Sequence, residues 1–329
     1  MLSALDFPRA VESKLTSIPS PLVPVSAQRE PLVICVGHAA LDRVYTVESW
    51  PADSGKIPVR HFEEAGGGMA ANAAASIARL GGRVAFWGPT GDDAVAAEVR
   101  ARLVADGVPA GDLRAFPGLT SSHSAVIVDA RGERLVVGYR GTALQAPADW
   151  LPLHRIAAAG AVLSDVRWTA GAEAALRAAR AAGKPAILDA EIADVAILER
   201  LARVADHVLF SERGLQAWST GGIEDGLRAA IGLGARVAAV TRGASGVDWI
   251  EAAAPGRMQH REAHRVAVVD TLAAGDVFHG AYALVVAEGG TVVQAMDFAS
   301  AAAAIKCTRP GGRKGAPTRS EVEAFLDTP

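Results

Sequence analysis

The chain has 329 residues, half of them hydrophobic, with a formal net charge of −3 and two cysteines. That is enough for an ample core in one large or two smaller domains, and the interspersed charge argues against nucleic acid or a membrane surface as partner. Cys35 and Cys307 cannot assemble a zinc cluster and read as buried free thiols of a reducing, cytoplasmic compartment, while no apolar run reaches the roughly 18 residues of a membrane span.

Residues 1–30 carry Asp6, Glu12 and prolines at 8, 19, 21 and 24 without a continuous apolar stretch. They do not resemble a secretion signal and read as a loose N-terminal extension. From Pro31 the pattern alternates. Short apolar runs at 32–37, 83–88, 161–165, 185–189, 206–210 and 236–241 predict strands, and alanine-rich periodic segments at 69–80, 93–105, 171–182, 194–203 and 223–233 predict helices. Such alternation predicts an α/β domain over 31–329 with a mostly parallel sheet covered on both faces. Residues 43–64 and 121–139 interleave polar and apolar side chains, the second around a hairpin at Ala130-Arg131-Gly132. They predict a small β lid inserted between the α/β units. After residue 276 the chain reads as helical almost throughout.

Two segments carry chemistry. In the first, an apolar run stops at Asp270-Thr271, Ala273-Ala274-Gly275 form a small-residue turn, and Asp276 opens a long apolar segment. A helix starting there gathers free N–H groups and a positive dipole end around one carboxylate. That suits holding a phosphoryl group in transfer while the carboxylate takes a proton from the attacking hydroxyl. Plain packing of a helix on a sheet would favour the same small residues. In the second, Gly66-Gly67-Gly68 precede a predicted helix with Asn72 about one turn in. The glycines permit close approach of a ligand, and the amide can both donate to and accept from a sugar hydroxyl. Asp42, after the first strand, sits where open α/β sheets bind ligands; a turn or cap aspartate is the plainer reading.

Gly66-Gly67-Gly68-Met69-Ala70-Ala71-Asn72 with Asp270-Thr271-Leu272-Ala273-Ala274-Gly275-Asp276 resembles the two signatures of the ribokinase-like (PfkB) carbohydrate kinases, from about residue 32 to the C-terminus. The resemblance implies a ribokinase-like three-layer α/β/α sandwich with a small β-sheet lid. It implies ATP and Mg²⁺ as cofactors, leaves a monovalent cation open, and implies a homodimer paired through the lids. By position it assigns Asp276 as general base, the N–H groups of Ala273, Ala274 and Gly275 as anion hole, and Asp42, Gly67, Gly68 and Asn72 as sugar-binding. Thr241, Arg242, Gly243 and Gly246 then meet the nucleotide, and the segment Ala299–Cys307, with Ala303 and Cys307, walls the adenine. Two positions depart from the family pattern. Ala273 stands where glycine is usual, and Gly214 where a metal-side glutamate is usual, which leaves Glu212 to act on magnesium through water. No Gly-x-x-x-x-Gly-Lys-Ser/Thr loop is present, so the chain does not read as a P-loop kinase.

A narrower similarity, to bacterial 6-deoxy-6-sulfofructose kinases of sulfoglycolysis, rests on Asp53-Ser-Gly-Lys56, Ser164-Asp-Val-Arg-Trp168, Val277-Phe-His-Gly280 and Ala304-Ile-Lys-Cys-Thr-Arg-Pro-Gly-Gly-Arg313. It implies Arg167 as sulfonate ligand, assisted by Lys56; a planar guanidinium suits a monoanion with three acceptor oxygens. Where those kinases carry a helping asparagine this chain has Gly138, with Arg140 two residues on and on the same strand face. The expected reaction is transfer of the ATP γ-phosphoryl group to the 1-hydroxyl of 6-deoxy-6-sulfofructose. Fructose 6-phosphate, tagatose 6-phosphate or a neutral ketose are alternative acceptors, and a non-catalytic sugar or nucleotide sensor is the remaining reading. His279 reads equally as a substrate contact or a packing residue, Asp165 as a site residue or a support for Arg167, and Asp189 and Glu191 as groups on the nucleotide or metal side or, more simply, as caps. His123, His260 and His264 lack metal-ligand spacing. The basic run Lys306, Arg309, Arg313, Lys314 reads as a solvated cluster.

Overall fold

The computed structural model describes residues 30–50, 55–131 and 134–328. Almost all of the expected N-terminal extension, the Asp53-Ser54 half of one motif and Gly132 of the lid hairpin lie outside these residues. In chain order the strands are β1 (Leu32–Val36), β2 (Ala40–Thr46), β3 (His61–Gly67), β4 (Arg83–Gly91), β5 (Leu113–Phe116), β6 (Ser122–Val128), β7 (Arg134–Tyr139), β8 (Ala161–Asp165), β9 (Ala186–Ala190), β10 (His207–Ser211), β11 (Val237–Thr241), β12 (Val247–Glu251) and β13 (Met258–Arg261). The helices are α1 (Met69–Arg79), α2 (Ala94–Ala105), α3 (Thr169–Ala181), α4 (Val195–Ala202), α5 (Glu212–Trp218), α6 (Gly222–Gly232), α7 (Ala274–Ala287), α8 (Val292–Cys307) and α9 (Arg319–Leu326).

The large sheet runs β13-β12-β11-β10-β9-β8-β1-β4-β5. It is parallel from β11 to β5, and β12 and β13 close one edge antiparallel. Because successive strand side chains alternate faces, one apolar run feeds two cores. Val33 and Cys35 face the core under α1, α7 and α8, whereas Ile34 and Val36 face the core under α3, α4 and α6. The result is three layers, helix, sheet and helix. The short strands β5, β12 and β13 and the helix α5 carry too few apolar residues to be legible in the sequence; neighbouring strands and helices stabilise them. No helix of the described residues is long and apolar enough to cross a membrane.

A second, four-stranded sheet runs β3-β2-β6-β7. Its first strand begins at Ala40 and its second continues to Gly67, so both run beyond the predicted 43–64 segment into the large domain. That continuity ties the sheet directly to β1 and α1.

Asp165 joins the pieces. Its side chain is buried at the end of β8, and Oδ2 accepts from the backbone N–H of His38 (2.8 Å), after β1, and of Ala70 (3.0 Å), in the first turn of α1. Oδ1 accepts from the N–H of Arg167 (2.8 Å). Its role is therefore to fix the strand end and hold the Arg167 backbone. The Asp165→Ala variant would strand three amides and lose about 3 kcal/mol or more of stability. Urea unfolding that detects a loss below about 1 kcal/mol would show that other groups take over those amides.

Candidate active site

Helices α1 and α7 cross closely at a glycine. A Cβ on Gly280 would lie 2.6 Å from the carbonyl oxygen of Ala73. One turn back along α7, this approach brings Asp276 against α1, where its Oδ2 accepts from Asn72 Nδ2 at 2.7 Å. Burial, with the charge of Asp189 added, pushes the Asp276 carboxyl up to about 7, against the opposing pull of Asn72 and His279. Below it, His279 Nδ1 lies 3.1 Å from Asp189 Oδ2, with both side chains buried. Burial would push this imidazole down, but the Asp189 charge and hydrogen bond leave it raised. Burial likewise raises the Asp189 carboxyl, with His279 opposing. Asp189 is thus no cap but the ion-pair partner of His279, and Glu191 accepts from Ser211 Oγ at 2.8 Å.

The turn before α7 is unusual. Ala273 is left-handed (φ 61°), the one non-glycine residue with positive φ among the described residues. For alanine this costs about 1–2 kcal/mol. The N–H of Ala274 is taken by the Thr271 carbonyl at 3.2 Å, and the first bond back into α7 is from Val277 to Ala273. No described residue pairs with the N–H of Ala273, Gly275 or Asp276. These are the groups a helix mouth offers to an anion.

Asp276 opens into a cavity of about 450 Å³ whose wall includes His38, Asp42, Gly68, Asn72, Gly138, Arg140 and Arg167. Asp42 Oδ1 accepts from Ser124 Oγ at 2.6 Å. Gly67 gives Asp42 room, since a Cβ there would lie 2.2 Å from its Oδ2, and Gly68 caps α1 with φ 93°. Gly138 pairs with Ser124 across the lid, and a Cβ on it would meet nothing within 4 Å. Arg140 is exposed and forms no hydrogen bond or ion pair with described residues; Arg167 spends one Nη1 bond on the Ile192 carbonyl at 2.8 Å. His38 is pushed down, first by burial, so it is neutral near pH 7. His123 also lines this wall, a position with no signal in the sequence. Lys56 lies exposed between β2 and β3 and lines neither this nor the neighbouring cavities.

A second cavity of about 610 Å³ lies on the other side of the Ala274-Gly275 turn. Thr241, Gly243 and Gly246 line it, facing Ser300, Ala303, Ala304 and Cys307 of α8, which share one helix face by their spacing. Arg242 does not join them, because its Nη1 donates to Asp248 Oδ2 at 2.8 Å. Cys307 is only half-buried in this wall, whereas Cys35 is fully buried as expected. Phe278, His264, Val266 and Val268 also line it. The last three follow the edge strand β13 in irregular chain that periodicity cannot place. His260 pairs instead with Asp248, at 2.7 Å.

The basic run is not a solvated cluster. Lys306 is fully buried, and Arg313 is nearly so, bonded to Asp106 (2.7 Å) and to Asn72 Oδ1 (3.4 Å). Arg309 pairs with Glu321 at 2.7 Å and Lys314 with Glu63 at 3.6 Å. No group of three or more His, Cys, Asp or Glu side chains among the described residues could hold a metal alone. A Mg²⁺ carried by nucleotide phosphates needs only one or two protein carboxylates. Glu212, at the start of α5 and 3.8 Å from Arg242, remains free for that on its exposed side. Gly214 has no room for a side chain, because its Cβ would lie 2.3 Å from the Ala190 carbonyl.

A family model described as "pfkB family carbohydrate kinase" matches residues 30–319. The chain belongs to the pfkB family of carbohydrate kinases. The kinase is 29% identical over 297 residues to an ATP-dependent ribose-1-phosphate kinase of Halopiger xanaduensis, covering 89% of this chain and 97% of that one. It is 29% identical over 301 residues to the ribokinase of Bacillus subtilis, covering 89% and 99%. Among solved structures, a provisionally assigned ribokinase from Agrobacterium tumefaciens superposes with a TM-score of 0.86 at 39% identity, covering 90% of this chain and 97% of that one. Arabidopsis thaliana ribokinase, solved with ribose and ATP, gives 0.79 at 25% identity, covering 92% and 100%. The fold is therefore the ribokinase-like α/β fold.

Proposed function

We propose that this ATP-dependent sugar kinase phosphorylates the 1-hydroxyl of a ketose bearing an anion at carbon 6, with 6-deoxy-6-sulfofructose as the substrate. The observation that carries the reading is the pair of guanidinium groups, Arg140 and Arg167, in the same cavity as Asp42, Asn72 and Asp276, with no carboxylate among the described residues bound to either guanidinium. A neutral sugar would leave both cations facing empty solvent, whereas a sulfonate accepts from such forks along a charge-assisted geometry. A phosphate at carbon 6, as in fructose 6-phosphate or tagatose 6-phosphate, is the second reading. The same two cations favour it, and a relative is named for a phosphorylated sugar.

In the proposed reaction Asn72 holds one oxygen of Asp276, and the other receives the proton of the attacking hydroxyl. Asp42, steadied by Ser124, orients the sugar hydroxyls beside Gly67 and Gly68. The unpaired N–H groups of Ala273, Gly275 and Asp276 receive the transferring phosphoryl oxygens, while ATP occupies the larger cavity against Gly243, Gly246 and the α8 face. Glu212 would be the candidate carboxylate to hold Mg²⁺ through water, and the ion would supply charge neutralisation on the phosphates. Binding the sugar at both ends fixes the reacting oxygen in line, which can contribute several kcal/mol.

We also propose a homodimer paired through the lid. Support comes from its apolar outer row, where Phe62, Tyr45, Ile127 and Leu135 lie in register and Phe62 and Leu135 are each 51% exposed. Sedimentation velocity at micromolar concentration should return a dimer; a monomer would mean that this face stays bare.

Asp276→Asn should lower kcat by at least about a thousandfold with ATP affinity intact. Because only the ionised carboxylate accepts a proton, and its pKa is pushed up to about 7, kcat/KM of the unaltered kinase should fall tenfold per pH unit below about 7. A flat profile from pH 5.5 to 8 would remove the assignment. Arg167→Ala should raise KM for sulfofructose by about tenfold or more and barely change KM for fructose. Equal effects on the two sugars would rule out the anion-binding role, and preference of the unaltered kinase for fructose 6-phosphate would select the second reading.

A further inference from the structure

The turn that presents the unpaired N–H groups is anchored to the C-terminal end of α8. Val269 and Asp270 donate their N–H groups to the Cys307 carbonyl at 2.8 and 3.1 Å. The Asp270 carboxylate accepts from Leu272 N–H (2.8 Å) and Gly312 N–H (3.2 Å) and lies 3.4 Å from Arg134 of the lid strand β7. A carboxylate, its own carbonyl and the negative end of a sixteen-residue helix thus meet at one corner. Such a corner requires a positive charge, and it has one. Lys306 is fully buried, and its Nζ donates to the Asp270 carbonyl at 2.7 Å and to Asp270 Oδ2 at 2.9 Å.

We infer that Lys306 is a built-in monovalent cation that positions the anion-hole turn, in place of an ion drawn from solution. The carbonyl and carboxylate oxygens that face this corner are already taken by the ammonium, so the residues present do not fit a separately bound ion there. Lys306 lines neither the sugar-side nor the larger cavity and is a positioning residue. It fixes Asp270, and Asp270 fixes Gly312 and Leu272, the residue that immediately precedes the left-handed Ala273. A strained dihedral of that kind persists only where its surroundings over-determine it. Arg134 adds a lid residue to the same carboxylate, so closure of the lid and shape of the turn share one anchor.

The inference rests on the kinase activity but not on the identity of the sugar. Its test compares the unaltered kinase and Lys306→Met in a buffer whose only counter-cation is tetramethylammonium, with K⁺ or NH₄⁺ added to about 100 mM. Three quantities are read: turnover with whichever sugar is accepted, ATP affinity by titration calorimetry, and Tm. The unaltered kinase should change less than twofold in turnover and affinity. Lys306→Met should lose at least about tenfold in both, and NH₄⁺ or K⁺ should restore a large part and raise its Tm. Stimulation of the unaltered kinase fivefold or more by K⁺ would overturn the inference, even if the variant fails to fold. So would a folded variant with full activity, or one whose loss no cation relieves. ATP affinity needs no sugar, so an incorrect acceptor assignment leaves this test intact.

Discussion

The buried carboxylate of Asp165 is the constraint on which the site depends. It gathers amides from the end of β1, the first turn of α1 and the segment after β8. Those segments carry His38 and Asp42, Asn72, and Arg167 respectively. Three stretches far apart in sequence are thus referenced to one pair of oxygens. The Gly280 contact then sets α7 against α1 and determines where Asp276 stands. Positional accuracy in the cavity follows from rigid strand ends and one close helix crossing rather than from loops.

Charge is arranged in layers around the Asp276 carboxylate. Asp189 and His279 lie beneath it as a buried pair, and Asn72 binds it from the side. Asn72 is itself held by Arg313, whose guanidinium is bound to Asp106. A carboxyl pushed up to about 7 is a stronger base than an ordinary aspartate yet still ionised in half the molecules at neutral pH. The desolvation that raises it comes from the same packing that positions it.

Much of this was legible in the sequence, for reasons specific to each element. Buried parallel strands announce themselves as short apolar runs, and Asp276 stood out because its small-residue turn and apolar helix form one local pattern. Ala303 and Cys307 were marked only by the resemblance of their segment to the family's adenine wall, and both line the larger cavity. What could not be read depended on distant partners. Lys306 and Arg313 resemble solvated cations until Asp270 and Asp106 are brought to them by folding. Arg242 sits in sequence beside Thr241 and Gly243, which line the larger cavity, but Asp248 turns it away. The left-handed Ala273 contradicts the local preference of alanine, and only its anchored neighbours explain it.

Position 138 has a consequence of its own. Asp276 and Asn72 sit on α7 and α1, whereas residue 138 belongs to a strand of the smaller sheet and leaves the space in front of it vacant. A side chain gained there would narrow the sugar-side cavity and leave the α1–α7 contact that positions Asp276 as it is. The cover is coupled to the turn before α7 through Arg134 rather than through residue 138, so the two positions of one strand carry different consequences.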